Sequence, residues 1–185
     1  KKKEEARPIL SRSTKEQEEK KKNWGTSTKS AKRIIIAPGA GFPEKSWGNE
    51  RFTKLIEILY HKTNHQLRVI GSVEDRNRIG FGMQDLTTHR MLNYCGKLSL
   101  RQSAALVSRS DFVISNSSIS MHLAGCYKIP SITILGECYE SAKLHQKQWG
   151  HPNGIVLGRE VSNGILKLPE PSEIFVKMNR TLDNE

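Results

Sequence analysis

A glycine-containing loop follows the first apolar run of the sequence, and its residue types are those that hold phosphates. The stretch PGAGFPEKSWG, residues 38–48, comes directly after Ile34–Ile36. A P-loop needs glycine before its lysine so that backbone amides can wrap the phosphates, but Glu44 precedes Lys45 here. The dinucleotide-binding fingerprint fails at the same residue, because its third glycine is again Glu44. What remains is a Gly39-Ala40-Gly41 turn with exposed amides and a nearby point charge, which can hold a phosphate; the alternative is an ordinary strand-to-helix loop.

A second cluster of polar residues lies in DFVISNSSISMHLAG, residues 111–125. Asn116, Ser117 and Ser118 stand at a predicted helix N-terminus, where free amides and the helix dipole favour an anion. His122 is one helical turn beyond Ser118 and is expected to face the same spot. Serines at a helix start also act as caps, and a lone histidine also acts as a structural hydrogen-bonding group. Taken with the loop at 38–48, this cluster predicts a diphosphate pocket.

The elements that must position these residues alternate along the chain from residue 33 onward. Helical spacing of apolar residues predicts helices, one capped by Ser99 and the last capped by Ser172. Apolar runs predict strands at 33–37, 67–70, 91–95, 111–115, 131–135 and 154–157. Because most runs are continuous, as in buried parallel strands, the pattern predicts an α/β fold with a doubly wound parallel sheet. Ligands of such sheets bind beyond the carboxyl ends of the strands, which is where both clusters fall.

The charge of the protein is concentrated at its start. The net charge is +11, and residues 1–33 hold twelve Lys and Arg against five Glu. We interpret residues 1–32 as a basic linker or flanking segment; the alternative is attraction to an anionic membrane surface or to nucleic acid. A specific nucleic-acid partner is not expected, because the segment has no interleaved aromatic residues and no recognition motif.

Other features of the composition bound the compartment and the chemistry. No run of about 18 apolar residues is present, so no membrane span is predicted. The start of the chain lacks the apolar region of a secretory signal. Three separate cysteines without CxxC spacing indicate reduced residues of a cytoplasmic protein. No carboxylates are clustered as a metal site would need, so neither a metal nor another cofactor is expected.

Four blocks of the sequence resemble the C-terminal half of family-nine glycosyltransferases, the bacterial heptosyltransferase family. The blocks are PGAGFPEKSWGNERFTKLIEIL, VIGSVEDRNR, CGKLSLRQSAALVSRSDFVISNSSISMHLAG and KIPSITILG, in the order and spacing of that family, and they cover roughly residues 33–138. RPILSRSTKEQEEK near the start is similar to the segment that leads into that half. The resemblance implies the Rossmann-like C-terminal half of a GT-B enzyme, which binds a nucleotide-diphosphate sugar, with ADP-heptose as the expected donor.

The resemblance also implies roles for single residues. Gly39, Ala40 and Gly41 are expected to contact the phosphates, and Lys45 the diphosphate or the transferred sugar. Glu74 or Asp75 is expected to contact the ribose, and Leu98 the nucleobase. Ser117 and Ser118, beside Asn116, are expected to contact sugar and phosphate, and His122 the phosphate. One departure stands out, because relatives commonly carry Asn-Asp-Thr-Gly where this chain has Asn116-Ser117-Ser118-Ile119. An acidic group is thereby lost and an isoleucine replaces a flexible glycine, which implies a changed donor sugar or weakened activity.

These observations predict the donor-binding domain of an inverting glycosyltransferase. Its saccharide or glycolipid acceptor is expected to be a cell-envelope molecule such as lipopolysaccharide core, at the inner face of the cytoplasmic membrane. The family's acceptor-binding N-terminal domain, which carries the general base, is expected to be missing, so this chain should bind a donor without transferring it. The predicted domain spans 33–160, with a C-terminal extension at 161–185 that holds the final helix. The alternative is a degenerate, non-catalytic nucleotide- or anion-binding module of the same fold.

Overall fold

A parallel sheet of six strands forms the centre of the protein, as seen in a computed structural model that describes residues 31–79, 89–158, 160–162 and 165–183. The strands are β1 (Arg33–Ala37), β2 (Gln66–Val69), β3 (Met91–Asn93), β4 (Phe112–Asn116), β5 (Ser131–Ile134) and β6 (Gly154–Leu157). Their order in the sheet is β3-β2-β1-β4-β5-β6, which is that of a doubly wound Rossmann-type sheet. The predicted fold class is confirmed, and the predicted strands differ from the observed ones by two residues at most. The expectations for residues 1–30 lie outside the described residues.

The sheet changes its direction of winding between β1 and β4, which are neighbours although far apart in sequence. Ala37 pairs with Ser115 in the parallel register of these strands. The loop after β1 and the loop after β4 therefore leave the sheet side by side at its carboxyl edge. This switch point is where open α/β sheets bind their ligands, and it brings the two predicted polar clusters to one place.

Within the described residues, six helices connect or flank the strands. They are α1 (Asn49–Lys62), α2 (Val73–Ile79), α3 (Leu100–Val107), α4 (Ile119–Tyr127), α5 (Ala142–Trp149) and α6 (Pro171–Asp183), and a short 3-10 turn covers Pro43–Lys45. Ser99 caps α3 as predicted: its hydroxyl accepts from the Gln102 amide at 3.3 Å, and the Gln102 side chain accepts from the Ser99 amide at 2.8 Å. This reciprocal pair satisfies two donors that the helix start leaves open.

The prediction that Ser172 caps the last helix is wrong. The helix begins one residue earlier, at Pro171, because proline has no amide hydrogen to satisfy and its fixed φ suits the first helical position. The amide of Glu170 donates to Glu173 Oε2 at 2.7 Å.

The sequence pattern also did not predict α5, in which only Ala142 and His145 are buried. Nor did it predict the antiparallel pair β7 (Glu160–Ser162) and β8 (Ile165–Lys167).

The core lies in two layers, one on each face of the sheet. Successive residues of β1 point to opposite faces, so Ile34 and Ile36 join one layer and Ile35 joins the other. The first layer contains Phe52, Leu55, Ile56 and Leu59 of α1 together with Ile174, Met178 and Leu182 of α6. The second is formed mainly by α3 and α4. The final helix thus shares its core with the sheet, while the domain boundary at residue 160 stays a prediction.

An ion pair fixes the amino edge of the sheet, opposite the predicted site. The guanidinium of Arg33 donates to both carboxylate oxygens of Asp111, at 2.7 and 3.0 Å, and the Arg33 amide donates to Asp111 Oδ2 at 2.7 Å. Burial alone would raise the pKa of Asp111, but the hydrogen bonds and charge of Arg33 outweigh it and hold the pKa below its ordinary value. The pair joins the starts of β1 and β4.

Among the described helices, none is long and apolar enough to cross a membrane.

Candidate functional site

The loop after β1 is anchored at its far end by Trp47, a residue that sequence reasoning did not single out. Trp47 is fully buried, and its ring packs edge-on against Phe52 with a centroid distance of 5.0 Å. Its indole Nε1 donates to the carbonyl of Pro169 at 2.8 Å, and its amide donates to Asn116 Oδ1 at 3.0 Å. The available sequence signal was a tryptophan close after a glycine-rich loop. The anchor gives the loop a defined path across the carboxyl edge.

Asn116 lies beneath this loop and not at its surface. The residue is fully buried at the end of β4, where its Oδ1 accepts from the Trp47 amide and its Nδ2 donates to the Pro38 carbonyl. One side chain therefore ties the start of the loop to its end. These two hydrogen bonds give Asn116 a positioning role, and its contact with a ligand stays a prediction.

The two glycines of the Gly39-Ala40-Gly41 turn differ in what surrounds them. Neither has a positive φ, so backbone freedom does not require glycine at either position. A Cβ at Gly39 would overlap the carboxylate of Asp75, whereas a Cβ at Gly41 would meet nothing within 4 Å. The amides of residues 39–41 donate to no other residue in the described part of the chain. Three unused donors are therefore available to a ligand here.

Asp75 closes one side of this loop. Its Oδ2 accepts from the Ser72 amide at 2.8 Å at the start of α2, and it lies against Gly39. Asp75 and Ala40 line a pocket of about 330 Å³ together with Pro38, Phe42, Pro43, Ser46, Gly48 and Asn49. A carboxylate repels phosphate but accepts hydrogen bonds from hydroxyl groups, which suits the predicted ribose contact. Glu74, the other candidate, is exposed on the same helix.

Ser117 and Ser118 lie at the start of α4, and neither caps it. Ser118 occupies the cap position, but its side chain makes no capping hydrogen bond. Ser117 is half-buried, and its hydroxyl lies 2.9 Å from Nε2 of His145, a residue of α5 that sequence reasoning missed. The first turn of α4 thus keeps unsatisfied amides beside a hydroxyl that is free of capping, an arrangement that favours an anion.

His145 is a buried histidine with one unpaired ring nitrogen. Only 6% of the residue is exposed, Tyr139 packs edge-on against its ring, and Nδ1 has no hydrogen-bond partner among the described residues. Burial, with a smaller contribution from the charge of His122, lowers the pKa of His145 below its ordinary value. His122 itself is exposed and packs edge-on against Trp149, with ring centroids 6.3 Å apart.

Lys45 sits on a segment that a neighbouring loop supports from below. The amide of Cys138 donates to the Glu44 carbonyl at 3.1 Å, and a Cβ at Gly136 would lie only 2.5 Å from that oxygen. The loop after β5 therefore packs directly against the backbone that carries Lys45. The Lys45 ammonium lies 5.3 Å from the centroid of the Phe42 ring, and no ion pair holds it within the described residues.

The predicted residues fall into two groups along the carboxyl edge. Ala40 and Asp75 line the pocket beyond β1 and β2, and Gly39 lies against Asp75. The other group lies beyond β4 and consists of Ser117, Ser118 and His122. Lys45 lies on the loop after β1, which also carries Gly39 and Ala40. Leu98 packs against the core layer that contains Ile35. Within the described residues, no three His, Cys, Asp or Glu side chains are placed to hold a metal ion.

The fold is shared with solved glycosyltransferases. The chain superposes on E. coli ADP-heptose LPS heptosyltransferase II with a TM-score of 0.74 at 20% identity, covering 96% of this chain and 54% of that one. A family 9 glycosyltransferase from Veillonella parvula gives a TM-score of 0.71 at 20% identity, with 91% and 50% covered. E. coli heptosyltransferase WaaC with ADP gives 0.65 at 16% identity, with 84% and 46% covered.

The chain spans about half the length of these solved structures. A comparison with curated proteins gave no match. The model of glycosyltransferase family 9 (heptosyltransferase) matches residues 1–160, which is most of the chain. This match agrees with the order of the strands and with the loops at the switch point. The chain therefore belongs to glycosyltransferase family 9, the heptosyltransferase family.

Proposed function

We propose that this chain is the donor-binding domain of an inverting glycosyltransferase, and that it holds a nucleotide-diphosphate sugar at the switch point of its sheet. The observation that carries the proposal is two sets of unused donors on neighbouring loops at this switch point: the amides of residues 39–41 and the uncapped start of α4. Both are oriented by a rigid scaffold, since Asn116 and Trp47 join the two loops. Family membership supports the same conclusion.

In the proposed complex, the two groups of residues bind different parts of the donor. The diphosphate binds to the amides of residues 39–41, the ammonium of Lys45 and the first turn of α4, which carry full or partial positive charge. His122 lies one turn further along the same helix. The ribose hydroxyls face the carboxylate of Asp75, where a phosphate would be repelled. The nucleobase of the donor lies toward Leu98. E. coli WaaC has been solved with ADP and with ADP-2-deoxy-2-fluoro heptose, which supports ADP-heptose as the first donor to test.

In the complete enzyme, a base deprotonates the acceptor hydroxyl, which attacks the anomeric carbon from the side opposite the leaving diphosphate. Lys45 and the amides stabilise the charge that develops on that leaving group. The base and the acceptor site are proposed to belong to the N-terminal half of the enzyme. A cell-envelope saccharide is the proposed acceptor, and the basic segment 1–32 is proposed to attract the enzyme to an anionic leaflet.

Titration of the chain with ADP, UDP and GDP, beside an assay for sugar transfer, tests this proposal. We expect binding of one diphosphate and no transfer. Lys45→Ala should weaken that binding about tenfold, because a charge-assisted hydrogen bond contributes roughly 1.5–3 kcal/mol, and it should leave binding of the free nucleoside unchanged. Lys54→Ala on the exposed face of α1 is the matched control. Sugar transfer by this chain alone, or equal affinities for Lys45→Ala and the parent, would contradict the proposal.

A degenerate binding module of the same fold is the second candidate. The start of α4 favours it, because Ile119 is 56% exposed there and the Ser117 hydroxyl already bonds His145. Such a module binds a nucleoside diphosphate or a simple anion but gains nothing from an attached sugar. Titration with ADP-, UDP- and GDP-sugars separates the two, since a donor site should bind one sugar nucleotide more tightly than its parent diphosphate.

A further inference from the structure

The contact between Ser117 and His145 has a direction that the surroundings of the histidine decide. A neutral imidazole carries its proton on one ring nitrogen and accepts through the other. Nε2 of His145 lies 2.9 Å from the Ser117 hydroxyl oxygen, so this nitrogen either donates to the hydroxyl or accepts from it. If Nε2 donates, the serine hydroxyl keeps its own proton to donate to a ligand. If Nε2 accepts, that proton is held by the histidine and the hydroxyl can only accept from a ligand.

Nδ1 distinguishes the two cases. This atom is buried and has no hydrogen-bond partner among the described residues. If Nδ1 carried the proton, a donor would be buried without an acceptor, and orphaned buried N–H groups are rarer than under-satisfied acceptors. The proton therefore belongs on Nε2, where Ser117 accepts it. The doubly protonated ring is disfavoured for the same reason, in agreement with the lowered pKa of His145.

A serine beside a histidine is also the arrangement of a nucleophile and its base. That role needs Nε2 as the acceptor and a third group that holds the proton on Nδ1. Among the described residues no such group bonds Nδ1, and the ring is instead packed against Tyr139. The environment of the pair is therefore that of a fixed donor and not that of a base.

We propose that His145 is a positioning residue: its Nε2–H donates to Ser117 and turns the serine hydroxyl outward as a hydrogen-bond donor to a diphosphate oxygen. The inference rests on the proposed function for the identity of the ligand. Ser117 makes no other side-chain hydrogen bond within the described residues, so its proton is available. With the uncapped Ser118 and the first amides of α4, it completes a set of donors that selects an acceptor oxygen.

The protein contains its own control for this pair. His151 is half-buried and also has a lowered pKa, and its Nε2 lies 2.9 Å from the hydroxyl of Ser131. Ser131 is the first residue of β5, so this pair lies at the amino edge of the sheet, away from the loops of the site. Loss of either pair removes one serine–histidine contact, but only the pair at the carboxyl edge should affect a ligand.

The first test needs no ligand. A long-range proton–nitrogen spectrum of the chain labelled with ¹⁵N-histidine, recorded at pH 8, reports which nitrogen of each ring is protonated, and the signals lost in His145→Gln identify that residue. We expect the Nε2–H form. The Nδ1–H form would overturn the proposal in favour of a serine activated by a base.

The second test measures affinity for the nucleoside diphosphate that the parent binds best. Ser117→Ala and His145→Leu should each lower it about tenfold, and the double variant should be no weaker than Ser117→Ala, because both remove one interaction. His145→Gln can still donate to Ser117 and should restore binding to within about threefold. His151→Gln should bind as the parent does. Full affinity in Ser117→Ala would refute the role. If the parent binds no diphosphate, the proposed function fails, while the spectrum still decides the direction of the Ser117 hydroxyl.

Discussion

At the scale of single residues, the site depends on close approaches between loops that are distant in sequence. Gly39 leaves room for the carboxylate of Asp75, and Gly136 leaves room for the backbone of residues 44–46. Both glycines are required by their neighbours and not by their own backbone angles, since neither has a positive φ. A glycine-rich loop in this fold therefore does not act only through flexibility.

Substitution of the two glycines of the turn tests this interpretation. Gly39→Ala should displace Asp75 and weaken binding of the diphosphate and of the nucleoside alike, because we propose that this carboxylate contacts the ribose. Gly41→Ala is the matched control and should bind as the parent does, since the added Cβ meets open space. Titration of both variants with ADP and adenosine measures the difference. Equal loss in the two variants would mean that the turn itself, and not Asp75, is disturbed.

At the scale of elements, two helix starts with a serine at the cap position differ in how their first amides are satisfied. Ser99 and Ser118 each precede a helix, yet only Ser99 accepts a capping hydrogen bond. The start of α3 is satisfied internally by its capping box, whereas the start of α4 has no side-chain cap, and we propose that its first amides bind the ligand. The same residue type thus stabilises one helix and leaves another open at the switch point of the sheet.

The paired substitutions Ser99→Ala and Ser118→Ala should separate stability from binding. Ser99→Ala should lower the free energy of unfolding by about 1 kcal/mol, the usual cost of a lost cap, and leave binding of nucleoside diphosphate unchanged. Ser118→Ala should leave stability within about 0.5 kcal/mol of the parent and weaken binding. Urea unfolding and titration of the same preparations provide both numbers. A stability loss in Ser118→Ala equal to that in Ser99→Ala would show that Ser118 is a cap after all.

At the scale of the whole molecule, the two ends of the chain are expected to differ in importance. Removal of residues 169–185 takes Ile174, Met178 and Leu182 out of the core and the Pro169 carbonyl away from Trp47, so the shortened protein should lose its cooperative thermal transition. Removal of residues 1–30 should leave the midpoint nearly unchanged, because that segment is lysine-rich and contributes few apolar residues. Thermal melts followed by circular dichroism compare the two. A midpoint that falls on removal of 1–30 would mean that the segment packs on the domain.

Stability of the whole protein should also depend on pH through its buried histidines. Burial lowers the pKa of His65, His145 and His151 below the ordinary value near 6.5. Below that pH the unfolded chain therefore binds more protons than the folded one. The contribution of these histidines to the free energy of unfolding should be complete above about pH 6.5 and decrease as the pH falls through that value. Urea unfolding between pH 8 and 5 measures the slope, which should become shallower in His151→Gln. A flat profile in the parent would contradict these pKa shifts.

The fold class, the six strands of the central sheet and the position of the glycine-containing loop after β1 were predictable from the sequence. These features depend on local periodicity and on glycine and lysine placed after an apolar run, which each short segment carries by itself. The resemblance to the glycosyltransferase family likewise depends on contiguous blocks, and the family match confirmed it. Among the elements that were missed, α5 has few buried residues and so leaves little periodic signal.

Only the tertiary structure decided what the polar side chains do. Asn116 reads as a ligand-binding residue in the sequence but is buried beneath the loop, where it bonds Trp47, a residue 69 positions away. Ser117 meets His145 across 28 positions, and Asp75 meets Gly39 only because β1 and β2 are neighbours in the sheet. Such pairings depend on how the loops leave adjacent strands, and a linear pattern does not contain that path. Local patterns therefore determined the scaffold of this protein, and packing between distant segments determined which groups remain free to bind.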